Sequence, residues 1–435
     1  MSIDMRDRKR EALSRRVLLS DPAESFRRGV PLRDAANGAV LSRDEAQAVV
    51  DKAVKLSKAD GIDVQLNTYY NGNVRFAANQ VSTSGATTDA QLAIQSSFGP
   101  KHAVVTTNDL SDDAIKRCVE QSERMARLAP DDPEVMPPLG AQTYTPVKAY
   151  FDATANLTPD DRARAALIAL QLTRSAGDLK SAGYLVTGMG ASAIGNKAGM
   201  FAYRPATSSN YTLTVRSDDG TGSGWAAADH PDWAQVDARS TDEGRSPFVK
   251  QGGGHKIGEK ITDERVTLFS DPSDPQLIGQ PYDGEGMPIG RQVWIENGVL
   301  KQLYYSRFWA KKQGKVATGA PTTLKMAGGT QSLDELIAGT TRGVLVTRLW
   351  YLREVDPRTI LYTGLTRDGT FLIENGKITK SLRNFRFNES PLFMLNNLEA
   401  LGRTERLAGT EQGGDVAMPS LRAKDFNFTS LSEAV

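Results

Sequence analysis

The chain is poor in the residues from which hydrolytic centres are usually built. Its 435 residues include one cysteine, Cys118, and three histidines, His102, His230 and His255. A single thiol excludes an internal disulfide and a cysteine-based zinc cluster, and it suits a reducing compartment, so a cytoplasmic location is expected. No apolar run approaches the roughly 18 residues that a membrane-spanning helix requires. An excess of one charge is missing too, since 53 basic and 52 acidic side chains leave a net charge of +1. Nothing global therefore steers the chain toward nucleic acid or an anionic membrane.

The few candidate ligands are also badly spaced. A catalytic zinc takes about three protein ligands and an open position, two of them usually from one helical turn. No His-Glu-x-x-His or longer-spaced variant occurs. His255 and Glu259 stand at i, i+4, but Gly252-Gly253-Gly254 precede them and glycine makes a poor helix. His230 lies among Asp229 and Asp232 in what reads as a solvated loop. Gly222-Ser223-Gly224 lacks the G-x-S-x-G spacing of a nucleophile elbow. Gly188-Met189-Gly190 with Gly195 departs from a dinucleotide fingerprint, and Gly195 to Gly199 reads instead as a hairpin into Met200-Phe201-Ala202-Tyr203. Cys118 falls on an apolar helical stripe, where it is a small buried hydrophobe.

What is present signals a soluble α+β protein. Ser42 and Glu45 form a capping box, followed by Ala46, Val49, Val50, Ala53 and Val54 at helical spacing. Val64 to Asn67, Val74 to Ala78, Asp89 to Ser97 and His102 to Thr106 read as strands, with Asn71-Gly72 as a hairpin turn. A second helix begins near Ser111, with the stripe Ala114, Ile115, Cys118, Val119, Met125 and Ala126. A third opens at Thr158-Pro159 and runs through Leu167, Ile168 and Leu172. Beyond Gly183 the pattern is mostly β. It includes Asn-Gly hairpins at 297–298 and 375–376 and a short capped helix from Ser332 to Glu335. Two basic and aromatic clusters, Tyr304 to Lys312 and Asn384 to Ser390, would either stack bases, hold a peptide backbone or serve structure.

These signals divide the chain into a mobile basic tail at 1–40, an N-terminal α+β region at 41–235 with a linker near 130–148, a C-terminal β-rich domain at 236–410, and a tail at 411–435 ending in a strand near 425–429. Ser14-Arg15-Arg16-Val17-Leu18-Leu19 looks like the opening of a twin-arginine export signal. Asp21, Glu24, Arg27 and Arg28 follow where such a signal needs apolar residues.

Several stretches carry a resemblance. They are Asp242-Glu243-Gly244-Arg245-Ser246, Gly252 to Gly258, Asp263-Glu264-Arg265-Val266-Thr267 and Ser270-Asp271-Pro272. Asp283-Gly284-Glu285-Gly286-Met287-Pro288 with the following Asn297-Gly298 hairpin is the most specific, and Thr363 to Gly369, Arg75 to Gln80, Ala191 to Ala193 and Asp219 to Trp225 add to it. Over roughly residues 41–405 the chain resembles the TldD/PmbA family. The resemblance implies an N-terminal α+β region of helices on antiparallel strands and a C-terminal β-rich, barrel-like domain. It also implies paired subunits, one carrying zinc on His-Glu-x-x-x-His with a late cysteine and cleaving unfolded or modified peptides, the other shaping a shared chamber without a metal site.

This chain has neither the motif nor the late cysteine. Only Ala234 to Thr241 fills the space where relatives place a strand and a long helix. The expectation is therefore a PmbA-like, non-catalytic member with no cofactor of its own. It would support a TldD-like, zinc-bearing partner or a second copy of itself, and act on a peptide substrate. The competing expectations are a metallopeptidase with unorthodox ligands such as His230 and His255, and a binding module for peptide or nucleic acid. For peptide contact the candidates are Gly252, Gly253, Gly254, Asn388, Glu389 and Ser390, through backbone or side-chain hydrogen bonds to an extended chain.

Overall fold

The computed structural model describes residues 40–218, 223–227, 248, 254–407 and 415–432. The expected N-terminal tail, the segment around His230, the short stretch 234–241 and the Asp242 to Ser246 motif lie outside these residues. The chain forms two compact units. One contains the described residues up to Tyr144, Lys148–Ala227 and Gly284–Met287, and the other holds the rest.

The first unit is built on a six-stranded antiparallel sheet. Its strands are β1 (Gly61–Ala77), β2 (Gln80–Phe98), β3 (Lys101–Thr107), β4 (Leu179–Asn196), β5 (Phe201–Ser217) and β6 (Ser223–Ala227), in the order β3-β2-β1-β4-β5-β6. Side chains alternate across a strand, and in β1 the even positions Ile62, Val64, Leu66, Val74 and Phe76 are all buried. The odd positions Gln65, Asn67, Arg75 and Ala77 are exposed. One face of the sheet is therefore covered and the other meets solvent, as antiparallel sheets allow.

Helices cover the apolar face. Helix α1 (Arg43–Leu56) opens with the expected capping box and buries Ala46, Val50 and Ala53. Helix α2 (Asp112–Leu128), capped by Ser111, adds Ile115, Cys118 and Val119 to the same cluster with Ile62, Val64, Leu66, Leu92 and Ile94. Met125, expected in this stripe, is 45% exposed, whereas Ser122 is buried and shares a 2.6 Å hydrogen bond with Ser96. Beyond the short α3 (Asp152–Ala155), helix α4 (Pro159–Ser175) carries the Thr158 cap with Pro159 in its first turn. Its buried face is Arg162, Ala166, Ala169, Leu170 and Thr173, while Leu167 and Ile168 are 47% and 54% exposed. Alanines at 166 and 169 let this helix lie close to the strands, packing on Val74 and Phe76.

The Asn71-Gly72 turn does not exist. Both residues lie inside β1, and the chain reverses at Ala78 and Asn79, whose φ angles are 48° and 61°. Asn79 holds the reversal: its Oδ1 accepts from Ser181 N at 2.8 Å and its Nδ2 donates to Leu179 O at 2.7 Å. Gly286, from the signature stretch, belongs to this unit. It has φ of 79°, and Tyr144 Oη donates to its carbonyl at 3.0 Å.

The second unit contains three sheets. The strands β7 (Leu268–Ser270), β8 (Gln292–Glu296), β9 (Val299–Leu300), β10 (Thr323–Met326), β11 (Arg342–Val346), β12 (Leu349–Asp356), β13 (Leu361–Thr366), β14 (Thr370–Glu374), β15 (Lys377–Ser381), β16 (Phe385–Glu389), β17 (Leu398–Arg406), β18 (Asp415–Ala423) and β19 (Phe428–Leu431) order as β17-β18-β10-β7-β8-β9, β11-β14-β15 and β12-β13-β16-β19. The architecture is α+β, but among the described residues no sheet closes on itself, so the expected barrel is replaced by separate open sheets. Both Asn-Gly pairs form their hairpins, with φ of 49° and 78° at 297–298 and 51° and 75° at 375–376. A Cβ on Gly298 would come within 2.4 Å of the Thr262 carbonyl, so this turn also needs glycine for space.

The core of this unit gathers Trp294, Ile295, Leu300, Trp309, Leu324 and Leu395 among others. The Trp294 indole donates to Ser270 Oγ at 2.8 Å, which satisfies its one polar atom inside the core. Of the Tyr304 to Lys312 cluster, Tyr305 and Trp309 are buried, and helix α5 (Arg307–Gln313) forms there. Those two rings are spent on packing and are not open to bases.

Asp263 and Arg265 tie the loop before β7 to the start of β17. Arg265 Nε and Nη2 donate to the two Asp263 oxygens at 2.7 and 2.8 Å, and Nη1 donates to Glu399 O at 2.6 Å. This fork holds the Asp263 pKa down to about 2. A depressed folded pKa contributes stability that is complete above the unfolded carboxylate value of about 3.9 and fades as pH falls toward the folded one. Asp263→Asn is expected to lower stability at neutral pH, with the gap to the parent closing between about pH 4 and the folded value near 2. Urea unfolding at stepped pH reads this. A gap that stays constant down to the lowest pH would remove the fork from the acid response.

Candidate functional site

The donors of the described residues are scattered relative to what a zinc ion requires. Among them, no group of three His, Cys, Asp or Glu stands close enough to hold a metal. His102 Nδ1 lies 3.7 Å from Asp132 Oδ2. The Cys118 thiol donates to the Val105 carbonyl at 3.4 Å, and burial pushes its pKa up, away from the thiolate that binds metal. His255 follows Gly254 in a turn region and starts no helix. The described donor set does not fit zinc.

The expected peptide contacts divide three ways. Gly252 and Gly253 lie outside the described residues. Gly254 is exposed with φ of 82°. Asn388 and Glu389 end β16, and Ser390 precedes helix α7, which follows α6 (Leu333–Ala338) in the chain and spans Pro391–Asn396. Glu389 is buried, and its carboxylate accepts from Ser390 N at 2.8 Å and Asn427 N at 3.0 Å. Ser390 Oγ donates to Thr359 O at 2.7 Å. These two side chains brace the crossing of β16, β19 and the loop before β13. The Asn388 backbone pairs with Asn427, leaving its side-chain amide uncommitted.

Sequence reasoning missed a buried arginine. Arg162 is 2% exposed in the first turn of α4. Its Nη1 donates to Leu157 O at 3.0 Å and to Thr187 Oγ1 at 3.1 Å, while its Nε has no hydrogen-bond partner. Among the described residues no carboxylate pairs with it. The guanidinium lies against Gly72 of β1, where a Cβ would come within 2.3 Å of Cζ. Any side chain at 72 would force the Arg162 head group to shift, so glycine leaves room for it in mid-strand. Beside it Tyr70, Thr154, Leu157, Thr187, Gly188 and Met189 come together without enclosing space for a water molecule. The sequence signal was available: Arg162 shares helical spacing with Ala166, Ala169, Leu170 and Thr173.

Gly188 and Gly190, weighed as a dinucleotide loop, stand in the middle of β4. A Cβ on Gly188 would meet Asn71 Oδ1 at 2.1 Å. This glycine leaves room for side chains of the flanking strands, whereas Gly72 leaves room for Arg162 of the helix.

Gly72→Ala is expected to destabilise the protein by about 1–3 kcal/mol through overpacking. Arg162→Met should relieve much of that, so a double-mutant cycle by urea unfolding should show strong coupling, and plain additivity would sink the contact. Glu389→Leu should cost about 1–3 kcal/mol for each backbone N–H left unpartnered. An unchanged unfolding midpoint would show that the brace is dispensable.

Comparison with known proteins places this geometry in a family. The family model for the PmbA/TldA metallopeptidase C-terminal domain matches residues 232–430, and that for PmbA/TldA metallopeptidase domain 1 matches residues 62–126. A metalloprotease of Archaeoglobus fulgidus is 31% identical over 159 residues, which is 34% of this chain and 37% of that protein. One from Methanothermobacter thermautotrophicus is 31% identical over 169 residues, or 36% of its length. The matched segment thus spans little more than a third of these archaeal relatives. The metalloprotease PmbA of Escherichia coli O157:H7 is 23% identical over an alignment covering 88% of this chain and 98% of that one. Among solved structures, TldE from Thermococcus kodakarensis superposes with a TM-score of 0.74 at 17% identity, over 88% of this chain and 99% of that one. A putative modulator of a DNA gyrase from Thermotoga maritima gives the same TM-score at 16% identity, over 88% and 99%. With one family matched in both units and the fold shared over most of its length, the chain belongs to the TldD/PmbA metallopeptidase family.

Proposed function

We propose that this chain is the non-catalytic partner subunit of a TldD/PmbA-type protease, supporting cleavage of unfolded or modified peptides by a subunit that carries the zinc. The observation that carries the reading is the poverty of donors. The sequence has no His-Glu-x-x-x-His, and its one thiol is committed to an apolar core. A zinc hydrolase needs about three ligands and an open position, which His102, His255 and Cys118 do not supply. The peptide role rests on Gly254 and on the uncommitted Asn388 amide, with Gly252 and Gly253 as further backbone donors. The near-neutral charge speaks against a nucleic-acid role, and the lone unpaired thiol suits the cytoplasm.

Purified alone, the chain is expected to bind no stoichiometric zinc and to leave unfolded peptides intact. Mixed with a family member bearing His-Glu-x-x-x-His, it should raise peptide cleavage above that of the other member by itself. Chelator-sensitive cleavage by this chain in isolation would overturn the proposal and favour unorthodox ligands such as His230 and His255.

A further inference from the structure

The small net charge of the chain conceals an uneven distribution. Residues 342–386 carry nine basic side chains against four acidic ones, so the remainder is acidic on balance. The sheet β12-β13-β16-β19 gathers part of this excess on one face. Trp350 of β12 stands opposite Leu365 of β13, which stands opposite Arg386 of β16. In the next row of that face Arg353 stands opposite Thr363, and Thr363 opposite Asn388. Directly opposed residues share a face. Trp350 and Arg353 are three apart in sequence, a spacing that regular alternation would put on opposite faces. A bulge between them prevents this: Tyr351 has a φ of 54°, and the register shifts there. Bulges re-aim side chains, and a bulky residue at positive φ is uncommon. This one turns Arg353 to the face of Arg386.

The carboxylates of these strands lie elsewhere. Glu354 and Glu389 both stand opposite Tyr362, on the face that holds the buried Phe387. Asp356 accepts from Arg358 N and Thr359 Oγ1, both at 3.0 Å, within its own turn. Asp368 pairs with Arg348 at 2.7 Å. Arg353 and Arg386 are exposed, and among the described residues no carboxylate pairs with either. Strand spacing and rise put their Cα atoms about 12 Å apart across the sheet.

We propose that this face binds an extended peptide carrying two carboxylates, one on Arg353 and one on Arg386. The inference rests on the peptide role proposed above and names its substrate class as acidic peptides. Acidic residues at i and i+4 of an extended chain project to one side about 13 Å apart, which matches the two arginines. Each guanidinium can take a carboxylate through two parallel hydrogen bonds. The uncommitted Asn388 amide, beside that path, offers both donors and an acceptor to the peptide backbone. On the other side Trp350 is covered by Arg367, 3.7 Å from its ring, and is closed to a nucleic-acid base. Two unpaired guanidiniums also fall short of the roughly 6–10 phosphate contacts of a typical nucleic-acid binder.

Fluorescence anisotropy on the full-length chain tests this with three labelled probes: an unstructured peptide with glutamates at i and i+4, the same peptide with glutamines there, and a single-stranded DNA oligonucleotide. The glutamate peptide should bind about tenfold or more tightly than the glutamine one, with the difference shrinking as salt rises. Arg353→Gln and Arg386→Gln should each remove about fivefold in affinity for the glutamate peptide alone. Lys377→Gln, on the separate sheet β11-β14-β15, should change neither peptide. Equal binding of the two peptides overturns the proposal. So does tighter binding of the DNA through the same arginines, or an equal loss in Lys377→Gln. Adding the zinc-bearing member separates this inference from the partner role. Cleavage raised alike for both peptides keeps the partner role and overturns the acidic preference, whereas glutamate-selective binding without raised cleavage does the reverse.

Discussion

The first unit depends on one long alternation. Over the length of β1, even-numbered side chains point to the helices and odd-numbered ones to water. A slip of one residue would turn Ile62, Val64, Leu66, Val74 and Phe76 to solvent and bring Gln65, Asn67 and Arg75 inside. At about 1.5–3 kcal/mol for each large apolar side chain, that is too costly to tolerate, so the register is fixed by burial and not by the turn. The turn follows wherever the alternation runs out. It runs out at Ala78 and Asn79, and the chain accepts an alanine at positive φ there because Asn79 is anchored on both sides by Leu179 and Ser181.

Gly72 is the one gap in that stripe, and Arg162 fills it. A guanidinium is flat and can stack on a bare strand as no alkyl chain of that length would. The arrangement leaves a charge inside the unit with two hydrogen bonds and an unpartnered Nε. Buried glutamates solve the opposite problem elsewhere. Glu123 accepts from Ala59 N and Ser57 Oγ, holding the chain as it leaves α1, and Glu389 does the same for Ser390 and Asn427. In both cases a carboxylate gathers N–H groups that irregular backbone would otherwise leave buried without partners.

Local chemistry was legible in the sequence wherever a few adjacent residues decide the outcome. The caps at Ser42, Ser111, Thr158 and Ser332 and the Asn-Gly turns at 297 and 375 satisfy their own backbone groups, and each appears as read. The Asn71-Gly72 pair shows the limit of that logic. Its dipeptide has the turn preference, but the glycine answers to Arg162, ninety residues away in sequence. Leu167 and Ile168 fail for a related reason. Helical spacing identifies a face, but close packing against β1 and β4 selects the face with alanines and leaves the bulkier one outside. Glu389 and Ser390 looked available for a ligand because nothing local shows that Asn427 and Thr359 would claim them.

The absence of metal donors from the cores bears on how a family of metallopeptidases can include a chain with so few ligands. Where a metal organises a fold, losing its ligands unfolds the protein. Here the two main clusters are made of aliphatic and aromatic side chains, and Cys118 contributes to one of them as a hydrophobe. The polar networks include carboxylates receiving backbone N–H groups and a tryptophan bonded to Ser270. None of these interactions would change if a histidine were replaced at a distant metal site. The described cores are therefore held by packing, turns and sheet register.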